Sequence, residues 1–217
     1  MSRPDFQNRI RARIEAAKDG SVFIASDFAD ITENVKIAVC LSRLEEEKVI
    51  LRVLRGVYYK PQYSRLLGEY IAPAPDIVAH AIARNFGWTI VPCGDTALNL
   101  LGLSTQVPVV WSYVSDGAYK EYSYDKTTIK FKRTTKKEIS GMSPKTALVV
   151  QALKTYGKEG VTSEVISKLC RITTPDERKA LLAETQYATA WLYEIIKGML
   201  IEDLLFKEVE TDVCVEN

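Results

Sequence analysis

The sequence has few of the residues on which metal sites and nucleophilic sites depend. His80 is its one histidine, and its four cysteines lie far apart with no Cys-x-x-Cys pair among them. Structural zinc sites need closely spaced Cys and His ligands, and secreted mini-proteins need a dense set of disulfides. We therefore expect no metal, no cofactor and reduced thiols. With one histidine and no nucleophile motif, no Ser-His-Asp or Cys-His set can be argued, so we expect that the protein is not an enzyme.

Long apolar runs are absent as well. Charge, proline or glycine interrupts every apolar stretch before the roughly 20 residues that a bilayer crossing requires. The N-terminus begins polar and arginine-rich, without the apolar centre of a signal peptide. These absences predict a cytoplasmic protein without membrane contact. The formal net charge of +1 does not by itself indicate a nucleic-acid partner, so the sequence pattern has to carry that argument.

The first 61 residues follow the order of a winged helix-turn-helix. Hydrophobic periodicity and β propensity predict helices at 4–18, 27–30 and 33–48, a short strand at 22–24, and hairpin strands at 49–54 and 57–59. Ser26 and Thr32 are predicted N-caps of the second and third helices. Gly56 supplies the backbone freedom of a hairpin turn. We therefore predict a DNA-binding domain over residues 1–61, with its third helix in the major groove.

The rest of the chain divides into three predicted parts after a turn-rich stretch at 61–75. These are an α+β middle domain at 74–140, a helical C-terminal region at 141–207 and an acidic tail at 208–217. The fold class is therefore predicted as α+β.

The secondary structure of the middle domain and of the C-terminal region is also predicted. In the middle domain, helices are expected at 76–85 and 96–101 and a strand at 89–91, with strands at 109–114, 119–124 and 128–132 in an antiparallel meander. Asp95 is predicted to cap the helix that follows it. In the C-terminal region Ser143, Thr162 and Thr174 are predicted N-caps, and the last helix is expected at 187–206.

Two sets of side chains are predicted to contact DNA. Ile37, Leu41 and Leu44 form the inward stripe of the third helix, which leaves its other faces outward. Amide and guanidinium groups there can make paired bonds to base edges in the groove. The predicted groove contacts are Asn34, Lys36, Ser42 and Arg43. The predicted phosphate contacts, on the hairpin, are Arg52, Arg55 and Lys60. The alternatives are a solvated helix face and a charged edge strand that discourages sheet pairing.

Two segments resemble a known family. The run Leu41-Ser42-Arg43-Leu44, followed by residues 49–61 (VILRVLRGVYYKP), resembles the winged helix of the abortive-infection antitoxins, the AbiEi-like family. Residues 92–108 (PCGDTALNLLGLSTQVP) resemble the segment that follows the winged helix in that family. Both occur in the expected order. Lys48 departs from the pattern, because many relatives carry glycine there, and the turn is therefore expected to be slightly strained or differently shaped.

The resemblance implies an antitoxin of a type IV toxin-antitoxin system. Such a protein represses its own operon and counters a nucleotidyltransferase-like toxin. The expected partners are then the double-stranded DNA of its own promoter and that toxin, and two copies could bind the DNA as a homodimer. The alternative is a winged-helix protein-interaction module without DNA binding. A nucleic-acid-processing enzyme would need a carboxylate cluster that the sequence does not offer.

Overall fold

The structure, a computed structural model, describes residues 5–135, 139 and 141–200 and has the predicted α+β class. The chain divides into two compact units: Met1–Trp88 with Tyr122–Ile129, and Thr89–Glu121 with Lys130–Asn217. The boundary after Trp88 falls inside the stretch predicted as a middle domain. The predicted tail at 208–217 and the last residues of the helix predicted at 187–206 lie outside the described residues.

Seven helices with defined ends and nine strands form the described framework, and one more helix begins at residue 190. The helices are α1 (Asp5–Ala16), α2 (Asn34–Glu46), α3 (Pro75–Phe86), α4 (Asp95–Leu100), α5 (Pro144–Tyr156), α6 (Ser163–Ile172), α7 (Pro175–Glu184) and α8, described over 190–200. The strands are β1 (Val22–Phe23), β2 (Leu51–Leu54), β3 (Val57–Tyr59), β4 (Gln62–Ser64), β5 (Glu69–Ile71), β6 (Ile90–Pro92), β7 (Val110–Ser115), β8 (Lys120–Tyr124) and β9 (Thr127–Arg133).

The core of the first unit lies beneath α2. α1 contributes its two buried residues, Ile10 and Ile14, which are one helical turn apart. A 3₁₀ helix at Ala25–Phe28 contributes Phe28, which is fully buried. The buried cluster consists of Ile10, Ile14, Phe23, Phe28, Ile37, Cys40, Leu41, Leu44, Ile50 and Tyr58. One face of α2 is therefore held by packing, and its other faces are left to solvent.

A three-stranded antiparallel sheet completes this core, in the order β1-β3-β2. Tyr59 lies opposite Val22 on one side and Leu51 on the other, so β3 is the central strand. The predicted hairpin is confirmed: β2 and β3 are joined through Arg55 and Gly56, and Gly56 has a φ of 78°. That left-handed conformation is open to glycine at little cost, which explains the residue at this turn.

The two N-caps predicted in this unit are wrong. The 3₁₀ helix follows Ile24, whose backbone N–H donates to the Asp27 carboxylate at 2.9 Å. α2 follows Glu33 and has no side-chain cap. Ser26 lies inside the 3₁₀ helix rather than before it, so its side chain is not at the N-cap position. Thr32 lies two residues before α2 begins, outside the N-cap position.

Residues 62–71, here called the arm, form a two-stranded ribbon where the sequence predicts only turns. In the register of β4 and β5, Tyr63 lies opposite Tyr70, and Ser64 lies opposite Glu69. The turn between them is closed by the backbone N–H of Gly68, which donates to the carbonyl of Ser64 at 2.9 Å. The ribbon was missed because its strands are three residues long, too short for an alternating pattern to be read.

The four-stranded sheet has a strand order that contradicts the predicted meander. The order is β6-β7-β9-β8, so β9 rather than β8 lies beside β7. The burial of the strands explains this order. β7 buries Trp111 and Tyr113, β9 buries Ile129 and Phe131, and β8 has no buried residue. The two strands with apolar faces therefore lie inside the sheet, and the polar strand forms its edge.

The helical predictions for the second unit are largely confirmed. Ser143, Thr162 and Thr174 each accept a hydrogen bond from a backbone N–H in the first turn of the following helix. These bonds satisfy donors that a helix start leaves without intrahelical partners. Asp95 is not the N-cap of α4, because Gly94 occupies that position and Asp95 begins the helix.

Lys48 has a φ of 58°, one of two positive values among the described non-glycine residues. Its side chain is exposed, so the position is governed by the backbone. We expect that Lys48→Gly raises the free energy of unfolding by about 0.5–1 kcal/mol, because the left-handed conformation costs a residue with a Cβ about 1–2 kcal/mol and glycine loses part of that gain to chain entropy. Urea denaturation at constant m-value measures the change. Lys48→Ala is the control: an equal gain there would show that the lysine charge, not backbone strain, is responsible.

Candidate nucleic-acid interface

The outward face of α2 does not bring the four predicted groove contacts together. At about 100° per residue, Asn34 and Arg43 lie roughly 180° apart around the helix axis, whereas Lys36 and Arg43 share one flank. Ser42 is half-buried, and the other three are exposed. The four residues therefore divide into Asn34 on one flank, Ser42 near the middle of the outward face, and Lys36 with Arg43 on the other flank.

Two valines that the sequence analysis did not select occupy the middle of that face. The side chain of Val35 is 75% exposed and that of Val39 is 46% exposed, in the first two turns of α2. The signal was available, because both residues lie off the inward stripe of Ile37 and Leu41 at 100° per residue. They were missed because only polar side chains were considered as base contacts, although an apolar side chain can contact the methyl group of thymine.

Arg43 lies over a cleft of about 260 Å³ between α1 and α2. The cleft is lined by Gln7, Arg11, Cys40, Arg43, Leu44 and Glu47. Arg11 at its edge forms ion pairs with Glu47 and, at 3.4 Å, with Glu15. The Arg43 side chain is exposed and makes no hydrogen bond or ion pair with the described part of the chain. Its guanidinium can therefore bind an anion that approaches beside the helix.

Arg52 is already engaged within the unit. It lies opposite Tyr58 across the β2–β3 pair, donates to the Tyr58 hydroxyl at 3.2 Å and has its guanidinium 5.4 Å from the centre of that ring. It also forms a 3.1 Å ion pair with Glu45 of α2. The hydrogen bond to Tyr58 and the attraction of Glu45 raise the pKa of Arg52. Binding a phosphate here would require exchange of the Glu45 carboxylate.

Lys60 has three partners inside the first unit. Its ammonium donates to the carbonyl oxygens of Glu15 and Ala17, each at 2.8 Å, and lies 3.2 Å from the Asp19 carboxylate. The last carbonyls of a helix have no intrahelical donor, and a cation there also complements the helix dipole. Lys60 therefore caps the C-terminus of α1, and its three N–H groups are used in that position.

Arg55 is the one predicted hairpin contact whose side chain makes no ion pair or hydrogen bond with the residues that the structure describes. It is exposed at the turn between β2 and β3, next to Gly56. Of the three glutamates at the end of α2, Glu45 and Glu47 are paired with arginines, which reduces the negative charge near the hairpin. An anion can therefore approach Arg55 without competition from a bound carboxylate.

A further arginine of α1 positions the segment before α2. Arg13 donates to both carboxylate oxygens of Asp30, at 2.8 and 2.6 Å, and to the carbonyl of Asp27 at 2.9 Å. The hydrogen bond from Arg13 lowers the pKa of Asp30. This paired geometry ties α1 to the 3₁₀ helix and its following turn, and so orients the start of α2.

Neither a metal site nor a membrane-spanning helix is found in the part of the chain that the structure describes. No group of three or more His, Cys, Asp or Glu side chains there is placed to hold a metal ion. No helix among those residues is long and apolar enough to cross a membrane.

A known family matches residues 9–181 of the chain, from within α1 to the second half of α7. The chain belongs to DUF6088, a family of unknown function. None of the curated proteins compared with it matches. The DUF6088 region includes α2, the β2–β3 hairpin, the arm and the stretch 92–108.

The stretch 92–108 has a structural role in this DUF6088 chain. It contains α4, whose Ala97 and Leu98 belong to the buried core of the second unit. The buried Thr96 hydroxyl accepts from the backbone N–H of Ser112 at 2.8 Å, and the Asn99 amide donates to the carbonyl of Gln106 at 2.9 Å. The first bond attaches α4 to β7, and the second attaches α4 to the loop that follows α4. This stretch therefore contributes to the buried core of the second unit.

Proposed function

We propose that this protein is a DNA-binding transcriptional autorepressor, and that its first unit is a winged helix-turn-helix. One observation carries the proposal: an exposed helix face on α2 is followed directly by a short antiparallel hairpin with an unpaired arginine at its turn. In winged helices the corresponding helix lies in the major groove and the hairpin, the wing, lies along the phosphates. The order β1-β3-β2 around α1, the 3₁₀ helix and α2 supports this assignment.

The geometry favours particular roles for the predicted contacts. Residues near the N-terminus of a recognition helix approach the base edges, so Asn34 would bond to a base while Val35 and Val39 contact thymine methyl groups. Lys36 and Arg43, on the other flank, would bind the phosphates of one strand. Arg55 would bind the phosphate nearest the wing, whereas Arg52 and Lys60 support the wing from within.

A protein-interaction module without DNA binding is the second candidate. Val35 and Val39 favour it, because an exposed apolar stripe on a helix also fits an apolar groove of a partner protein. The salt dependence of the binding affinity separates the two candidates. Phosphate contacts release counterions from DNA, so affinity for DNA falls as the salt concentration rises.

The test is fluorescence anisotropy of the full chain titrated onto labelled DNA from upstream of its own gene and onto a scrambled duplex, at about 50 and 200 mM salt. We expect saturable binding to both, tighter on the upstream DNA, with affinity that falls at least tenfold between the two salt concentrations. Absence of binding to either duplex at low salt would leave the protein-interaction candidate.

We further propose that the repressor acts as the antitoxin of a type IV toxin-antitoxin system. The support is the resemblance of two ordered segments, residues 41–61 and 92–108, to the abortive-infection antitoxins. The proposed target is a nucleotidyltransferase-like toxin encoded beside this gene. Co-expression tests it: the neighbouring gene alone should arrest growth, and the added antitoxin should restore it. Growth arrest that persists in the presence of this protein would refute the antitoxin role and leave the repressor role standing.

A further inference from the structure

The arm leaves the first unit as a ribbon with exposed apolar side chains on its turn and strands. The exposed fractions are 94% for Leu66, 63% for Leu67, 58% for Tyr70, 55% for Tyr63 and 39% for Ile71. An isolated two-stranded hairpin is marginally stable in water, and a contiguous apolar patch of several hundred Å² usually marks an interaction site. The arm is therefore the strongest candidate among the described residues for a surface that another molecule covers.

The two strands of the arm differ in what lies beside them. The Gln62 side chain, at the start of β4, lies near the loop after α1: its Oε1 is 3.6 Å from the place that a Cβ on Gly20 would occupy. All three residues of β5 are exposed, and its outer edge has no strand partner within the described residues. β4 has no further strand partner there either, but its Ser64 is half-buried, so β5 is the more exposed strand, and its edge presents backbone donors and acceptors that can template another strand.

The arm also has internal order. The rings of Tyr63 and Tyr70 meet edge to face with centroids 5.3 Å apart. In the turn, the backbone N–H of Leu67 donates to the Ser64 hydroxyl at 3.2 Å. These contacts stabilise the ribbon and leave its two leucines exposed. The arm is therefore a preformed element that a partner can bind.

We propose that the outer edge of β5 pairs with β5 of a second copy of this chain. The product is a four-stranded antiparallel sheet across a two-fold axis that passes beside Tyr70. Such an interface is isologous and closes with two copies, so it leaves no further β5 edge open.

The charges of the arm favour a second copy over DNA. Its one basic and one acidic residue, Arg65 and Glu69, leave it with no net charge, whereas a ribbon that binds DNA gains its affinity from excess positive charge. In the two-fold register Tyr70 lies opposite its own counterpart, and Glu69 lies opposite Ile71 of the second copy. No two residues of like charge lie opposite each other, so this register has no cross-strand repulsion.

The available area suits a reversible dimer. Edge pairing over the three residues of β5 adds main-chain hydrogen bonds, but it does not cover Tyr63, which lies on β4 and away from the seam. The interface is therefore small compared with those of stable dimers. We therefore expect a dimer that dissociates on dilution.

The dimer would present two copies of α2 to one duplex, and this consequence alone rests on the proposed function. Two-fold regulators read half-sites one helical turn apart, so the operator would be palindromic. The dimer itself is measured without DNA, so a failure of dimerisation and a failure of DNA binding are separate results.

The test uses two variants at one position that differ in charge sign. We measure the mass of the full chain by light scattering over a hundredfold range of concentration, for the wild type, Ile71→Glu and Ile71→Lys. The wild type should rise from 24.4 kDa towards twice that value. Ile71→Glu places a carboxylate opposite Glu69 of the second copy at two sites per dimer, whereas Ile71→Lys places an ammonium there. The dimer Kd of Ile71→Glu should therefore be at least tenfold higher than that of Ile71→Lys.

Val107→Glu is the matched control, because Val107 is 74% exposed in the second unit and lies outside the arm. It should leave the dimer Kd within twofold of the wild type. The proposal is overturned if the wild type stays monomeric throughout, or if Ile71→Glu and Ile71→Lys give equal values. It is also overturned if Leu66→Asp weakens DNA binding while the mass is unchanged, since the arm would then bind DNA.

Discussion

Arg55→Glu is expected to weaken binding to every DNA sequence by about tenfold or more, because it replaces a phosphate contact with a repulsive charge. The effect should be equal on upstream and scrambled DNA, since phosphate contacts carry no sequence information. The dependence of log affinity on log salt should become shallower by about one unit. Fluorescence anisotropy at four salt concentrations measures both quantities.

Lys179→Glu is the control for Arg55→Glu, because it makes the same charge change at an exposed residue of α7 in the second unit. Its effect on affinity should be less than twofold. Arg52→Glu is a poorer test, since it places a second carboxylate beside Glu45 and would disturb the hairpin itself. Unchanged DNA affinity in Arg55→Glu would remove the hairpin from the interface and with it the winged-helix assignment.

Phe28→Ala should lower the free energy of unfolding of the first unit by about 3–5 kcal/mol. Phe28 is fully buried, its ring centroid lies 5.9 Å from that of Phe23, and the Arg13 guanidinium lies 5.8 Å from its centre. Truncation leaves a cavity under α2 that the small core cannot fill. Amide hydrogen exchange should show the loss directly, as reduced protection of the α1 and α2 peptides.

Two controls test whether the effect of Phe28→Ala is confined to the core of the first unit. The peptides of α5, which packs into the separate core of the second unit, should keep their protection. Val39→Ala, on the exposed face of α2, should change stability by no more than about 0.5 kcal/mol, because few contacts are lost there. If Phe28→Ala left α2 protected, the core described beneath this helix would not be what holds it.

The hairpin between Arg55 and Gly56 and the caps at Ser143, Thr162 and Thr174 could be predicted because each depends on a few neighbouring residues. In a cap, a side-chain oxygen accepts a hydrogen bond from the backbone N–H three residues on, and a two-residue turn favours glycine where φ is positive. Sequence reasoning recovers such features well. The prediction was wrong at Ser26, because the 3₁₀ helix begins one residue before it, at Ala25, and Ser26 lies inside the helix.

The roles of the charged residues at the candidate interface could not be predicted in the same way. Lys60 and the Glu15 carbonyl that it caps are 45 residues apart, and Arg11 and Glu47 are 36 residues apart. Arg55 is exposed and Lys60 is engaged, although both looked equally basic and equally available in the sequence. Only the packing of α1, α2 and the hairpin against one another decides which cations remain for a ligand.

By itself the sequence determined the α+β class, the positions of most helices, the β2–β3 hairpin and the amphipathic face of α2, because periodicity and turn chemistry are local properties of the chain. The tertiary structure decided the strand order β6-β7-β9-β8, the ribbon of the arm and the pairing of Arg52 and Lys60. These depend on free energies of burial and ion pairing between residues far apart in sequence. Strands pair so that their apolar faces are buried, and a lysine donates to the carbonyls that folding brings within hydrogen-bond distance.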